Sequence, residues 1–196
     1  MAYVLDDLFM QSSKDRLEQL SDEAKRTTLI LEKAERDFID RLIKEGKESG
    51  IKSLISKMIN IYRNLMIYSW TFPGEYYYGI SRVAFVNVEL INLLVQNTPK
   101  ENWYGTGKRM GDILKVSMDA TLGVDAFKQE NWGEVFQRLC VQGFGYFSLK
   151  DKYLLLKTPF LNNFLLWEGI IEGLFGVKVE AKTSVSPLVF EIKPVV

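Results

Sequence analysis

Apolar and small residues first recur at Leu17, Leu20, Ala24, Thr27, Leu31, Ala34 and Phe38, an alternation of 3 and 4 with charges between. That period predicts one amphipathic helix and also fits a coiled-coil seam. Leu17, Leu20, Leu31 and Phe38 make the stripe a candidate dimerisation or partner surface, with packing on the chain's own domain as the equal alternative. Glu32 with Arg36 and Asp37 with Arg41, each four apart, suit a solvated outer face.

Gly46 and Gly50 predict a break, after which Leu54, Ile55, Met58, Ile59, Tyr62, Leu65 and Met66 form a second helix. Its richer stripe predicts deeper burial. Pro73-Gly74 ends that helix and opens a segment rich in aromatic and β-branched residues, so a boundary is placed there: 1–72 a helical extension, 73–196 a second domain. Residues 76–87 (YYYGISRVAFVN) predict a first strand, and 88–96 a helix ended by Pro99. A glycine-bearing helix is expected over 102–120 and another over 132–140. Runs at 143–149 and 153–157 predict a hairpin turning at Lys150-Asp151-Lys152. Pro159 then precedes a helix over 161–175, with Gly169 and Gly173 four apart and Gly176 as its C-cap. Two alternating strands, 177–184 and 188–194, close the chain around a turn at 184–187.

Composition changes this picture mainly by exclusion. With 196 residues, 47% hydrophobic and 26% charged, the chain fits one globular domain, or one with a helical appendage. Its 25 basic and 25 acidic side chains cancel, which removes the electrostatic footprint of a nucleic-acid binder. There is no histidine, so His-ligated haem, His-containing zinc sites and His-dependent triads are excluded. Cys140 is the single cysteine; it forms no Cys-x-x-Cys site and no intramolecular disulfide. Set between Leu139 and Val141 with no imidazole to activate it, it reads as a small core residue rather than a nucleophile. No charged leader precedes an apolar run, and no stretch approaches the 18 uncharged apolar residues of a membrane span, so a cytoplasmic protein is expected.

Gly105-Thr106-Gly107-Lys108 invites a phosphate-loop reading, but Asn102 and Arg109 stand where that loop needs Gly and Ser or Thr. The glycines are better read as packing residues. Glu168 and Glu172, four apart, share one helix face and could act together or hold a cation; facing solvent, or pairing with Arg82 or Lys178, is the plainer reading. Arg109 and Asp112 read as a surface pair. No nucleophile, base and oxyanion stabiliser assemble along the chain.

The order of strand, glycine-bearing helices, hairpin, Gly-x-x-x-Gly helix and terminal hairpin resembles the 4-vinyl-reductase-type small-molecule-binding domain. Tyr104, Gly107 and Gly111 are similar to that family's aromatic-x-x-Gly-x-x-x-Gly helix. Trp167, Gly169, Gly173, Leu174 and Gly176, followed by VKVEAK, are similar to its closing helix and strand, and the resemblance covers about residues 75 to 194. It implies an α+β fold in which helices cover an antiparallel sheet of about four to five strands. That fold is shared with haem nitric-oxide-binding domains and TRAPP tethering subunits. The family's metal-holding cysteines are replaced here by Thr183-Ser184-Val185-Ser186, so no metal and no cofactor is expected.

The resemblance implies a small hydrophobic ligand, held in an aromatic pocket between the sheet and the glycine-bearing helices, where missing side chains leave room. Phe85, Tyr104, Met110, Phe144, Tyr146, Trp167 and Ile171 are its expected lining, with Gly107, Gly111, Gly169, Gly173 and Gly176 as packing residues. A filled aromatic core is the alternative. Three readings follow: a non-catalytic ligand-binding or sensory protein, a homodimeric scaffold of the tethering-subunit kind, and an enzyme acting on a tetrapyrrole-like substrate.

Overall fold

The computed structural model describes residues 28–71 and 73–193. They fall into two compact units divided between Leu54 and Ile55, inside a helix.

The first unit carries α1, Lys33–Lys44. Residues 28–32 are not helical, because the chain enters extended through Glu32, whose N–H donates to the Glu35 carboxylate at 2.9 Å. This reciprocal cap starts the helix. The helix expected to run through Leu31 and Phe38 therefore begins after Leu31 and continues past Phe38; Leu17 and Leu20 lie outside the described residues. Arg36 bonds Asp40, at 3.0 Å to each carboxylate oxygen, where a Glu32 pairing was expected. Of the α1 side chains Ile39 is buried, whereas Phe38 is half exposed, with the Arg41 guanidinium 5.4 Å above its ring.

Helix α2, Ile51–Asn64, begins in the first unit and ends in the second. The deep burial expected of its stripe is not found. It has no buried residue, and Met58, Ile59, Ile61 and Tyr62 are exposed. A hydrophobic period records a face that favours cover, and among the described residues this one is covered only in part, at Leu54, Ile55, Leu65 and Met66. The helix also ends well before Pro73: Met66 takes a left-handed conformation, a short 3-10 turn (Ile67–Ser69) follows, and Thr71 bridges Glu75.

In the second unit the expected strand over 76–87 is a separate hairpin, β1 (Tyr76–Tyr78) with β2 (Ser81–Val83). Gly79, at φ +59°, supplies the positive φ that a two-residue hairpin loop requires, so the alternating run folds back on itself. Helix α3 spans Val88–Gln96 and α4 Trp103–Leu122; the Asn87 side chain caps α3 by accepting the Glu89 N–H at 2.7 Å. Helix α5 is Trp132–Val141, α6 is Phe164–Phe175. Strands β3 (Tyr146–Lys150), β4 (Tyr153–Lys157), β5 (Lys178–Ala181) and β6 (Leu188–Lys193) form an antiparallel sheet in the order β3-β4-β6-β5. The fold is α+β.

Alternation along β4 and β6 sends Leu154, Leu156, Leu188 and Phe190 into the core. Next along β6 from Phe190, on the opposite face, Glu191 accepts from Lys152, Lys182 and Lys193 at 2.6 to 2.8 Å, and these lysines hold its carboxyl far below the ordinary range. Helix α6 is apolar on nearly every side and is buried from Leu166 to Phe175 apart from Glu168. Its Trp167 indole donates to the Leu161 carbonyl at 2.8 Å. Rings of Phe144, Phe147 and Phe160 stand 5.4 to 6.4 Å from the Trp167 ring, at steep angles suited to edge-to-face contact. These rings form an aromatic cluster within the core.

Candidate functional site

Helix α4 has two faces with opposite fates. On one, Gly107 and Gly111 meet α6 where α6 presents Gly169 and Gly173. A Cβ at Gly107 would fall on the Leu166 carbonyl, at Gly111 on the Ile170 carbonyl, at Gly169 on the Tyr104 carbonyl and at Gly173 on the Lys108 carbonyl. The missing side chains therefore admit backbone, not ligand. Gly105 to Lys108 lie inside the helix, which leaves no loop to wrap a phosphate. Gly176 ends α6 in the left-handed region at φ +67°, as a C-cap glycine.

The crossing is tied off by carboxylates. Glu172, 9% exposed, accepts from the Tyr104 hydroxyl at 2.5 Å, from Lys178 Nζ at 2.6 Å and from the Val179 N–H at 3.2 Å. Glu168 accepts the Ala181 N–H at 2.6 Å. The two residues singled out for possible joint chemistry thus take backbone donors of the edge strand β5, which leaves that edge less able to pair with another strand. Burial works to raise the Glu172 carboxyl, but the hydrogen bonds from Lys178, Tyr104 and Val179 outweigh it and hold the carboxyl below its ordinary value. Its bond to Glu172 raises the Tyr104 hydroxyl.

On the neighbouring face of α4, Ile113, Leu114 and Ser117 form one wall of an apolar cleft of about 450 Å³. The β1–β2 hairpin supplies Tyr78, Ser81 and Val83; Trp70, Phe85 and the Gln142–Phe144 turn complete it. Its volume lies within the range of about 300 to 1,000 Å³ usual for small-molecule sites. At its mouth, the rings of Trp70, Tyr76 and Phe85 lie 4.9 to 5.6 Å apart. The Trp70 indole is fixed by donation to the Tyr77 carbonyl at 2.8 Å, yet Phe85 is left 74% exposed.

Polar groups are few and placed together in the fold. Ser81 and Ser117 hydroxyls bond each other at 3.0 Å. The Tyr78 hydroxyl, on a residue 4% exposed, and the Gln142 side-chain oxygen are buried with no hydrogen-bond partner. The Thr121 hydroxyl, on a residue outside the lining, is a third such atom, and all three are sealed from water rather than open to the cleft.

Of the seven expected lining residues, the structure brings Phe85 and Phe144 together at this cleft. Tyr104 is bonded to Glu172 at the helix crossing, Met110 packs on the core, and Tyr146 is exposed on β3. Trp167 and Ile171 are wholly inside the core. Ser81, Ser117, Tyr78 and Gln142 were missed as site residues. Ser117 carried the one available signal, a small hydroxyl between Val116 and Met118 in an otherwise apolar stretch. Cys140 is half-buried, and burial raises its thiol, which disfavours the reactive thiolate.

Among the described residues no group of three or more acidic or cysteine side chains is placed to hold a metal ion, and no helix is long and apolar enough to cross a membrane. No family model matches the chain, and neither a curated protein nor a solved structure matches it.

Proposed function

We propose that this protein is a small-molecule-binding module that takes an apolar ligand into the cleft between α4 and the β1–β2 hairpin. The observation that carries this reading is the apolar-lined cleft of about 450 Å³, a volume suited to a small molecule. The 4-vinyl-reductase-type resemblance points the same way, with the ligand beside the glycine-bearing helix rather than between it and the sheet. Native mass spectrometry of freshly purified protein, followed by solvent extraction, tests it. A stoichiometric apolar adduct that Ile113→Glu abolishes is expected, and a protein that carries none and takes up no hydrophobic probe would overturn the reading.

A second reading, a homodimeric interaction protein, is favoured by one observation. Leu90, Leu93 and Leu94 of α3 are each more than half exposed, and apolar groups gathered on one short helix mark an association surface. Light scattering separates the two: a dimer that dissociates on Leu93→Glu with ligand uptake intact assigns this surface to association.

A further inference from the structure

We infer that α2 is a membrane-surface helix, whose exposed apolar stripe lies in the interface of a bilayer carrying anionic lipid with the helix parallel to the membrane plane. This inference is independent of the ligand-binding reading and uses none of the residues that line the cleft.

The helix divides into two faces around its axis. At 3.6 residues per turn, Leu54, Ile55, Met58, Ile59, Ile61 and Tyr62 fall within about 160°. Ser53, Ser56, Asn60 and Asn64 fill the other side. Lys52 and Arg63 stand at the border beside Ile59, and Lys57 at the border beside Ile61. Long basic side chains in such places lay their stems along the apolar stripe and carry the charge into polar surroundings. Residues 56–63, more than two turns, are all exposed, so this part of the stripe is left open among the described residues. A helix of 14 residues draws most of its stability from packing of its apolar face, so this one needs an occupant.

The charge of the segment decides among occupants. Between Glu48 and Glu75 the chain carries Lys52, Lys57 and Arg63 and no acidic residue, in a protein whose formal net charge is zero. A second copy seated on this helix across a twofold axis would bring these cations towards one another. An anionic bilayer instead offers its apolar interior to the stripe and its phosphate and carboxylate groups to the bases. Tyr62 and Tyr68, both exposed and with ring centroids 6.2 Å apart, add amphipathic rings of the kind that settle at head-group level. At 14 residues the helix is too short to cross a hydrocarbon core, which takes about 20, but it is long enough to lie on one.

The test is sedimentation of the full chain with vesicles of phosphatidylcholine containing phosphatidylserine, and with vesicles of phosphatidylcholine alone. Binding about tenfold or more tighter to the anionic vesicles is expected, weakening as salt is raised, because each base near such a surface contributes about fivefold. Ile59→Glu, on an exposed residue whose replacement leaves the fold intact, should lower binding about tenfold or more, and Arg63→Gln about fivefold. Leu93→Glu on α3 should leave it unchanged. Equal binding to both kinds of vesicle, or loss with Leu93→Glu and not with Ile59→Glu, would overturn the inference. Failure to bind either vesicle would overturn it too, and light scattering with hydrogen exchange would then name the occupant. A dimer that Ile59→Glu dissociates would assign the stripe to a second copy, and a monomer with protected α2 amides would assign it to cover by the chain itself.

Discussion

One helix, α4, presents the same kind of sequence to two neighbours and meets two outcomes. Against α6 its glycines bring backbone onto backbone, and Glu172 ties the Tyr104 hydroxyl of α4 to the crossing while Glu168 and Glu172 accept from β5. Against the β1–β2 hairpin its Ile113, Leu114 and Ser117 stop short of close packing and border an open cleft. The difference teaches that small residues on a helix are not in themselves room for a ligand. A glycine pair facing a second glycine pair is consumed by the approach of the helices; space survives where medium-sized side chains face a short, strongly turned hairpin.

The largest effect is expected from breaking the packed side. Gly111→Leu forces a side chain onto the Ile170 carbonyl and the Leu174 amide, neither of which can move without moving α6. Overpacking of flexible side chains costs about 1–3 kcal/mol, and a rigid backbone should cost more. Urea denaturation should show a loss above about 3 kcal/mol, or no folded protein at all. Gly105→Ala, on the same helix with nothing near its Cβ, should be neutral or stabilising by about 0.5–1 kcal/mol. Equal losses at positions 105 and 111 would remove the close crossing as the explanation.

This contrast also shows how much the amino-acid pattern reveals. The terminal hairpins, the cap at Gly176 and the span of α3 were legible, because each is set by local rules: alternation, positive φ at glycine, a capping Asn followed after nine helical residues by a proline stop. The hairpin at Gly79 was hidden inside a run that alternates well enough to read as one strand. The exposure of α2 was invisible for a different reason, since a hydrophobic stripe states a preference and not whether another element meets it. The site was legible only at Phe85 and Phe144. Its polar members come from a hairpin, a helix and a helix end, remote in sequence, and nothing local brings Ser81 to Ser117.

An intermediate effect is expected where the crossing is tied to β5. Glu172→Ala strands the Tyr104 hydroxyl and the Val179 N–H, at a cost of about 1–3 kcal/mol. The pH dependence has a definite sign. The Glu172 carboxyl is held below its ordinary value in the folded chain, so its contribution is fully present above the unfolded value of about 4.3. It is then lost as pH falls through the lower, folded value. Thermal melts between neutral pH and pH 3 should therefore converge for the unaltered protein and Glu172→Gln at the acid end and differ most at neutral pH. Glu180 and Glu191, also lowered by lysine partners, weaken both proteins alike, so the difference between the curves isolates Glu172. A constant difference across the range would mean that its charge has no part in closing the crossing.

The smallest change in stability should come from the open side, and that is what makes it informative. Phe85 is mostly exposed although it packs on Trp70 and Tyr76, so Phe85→Ala should shift stability by no more than about 1 kcal/mol. Stability and binding are expected to separate here: affinity for a hydrophobic probe should fall about fivefold to tenfold, because an exposed aromatic that lines the cleft shields a bound apolar tail from water. At the crossing the two quantities cannot separate, since any loss of binding there follows loss of fold. A Phe85→Ala protein that keeps full affinity would show that these aromatics brace the hairpin and that the tail lies against the half-buried Leu114 and Phe144. If the variant instead lost as much stability as Gly111→Leu, the hairpin would belong to the packed core and the two faces of α4 would not differ in kind.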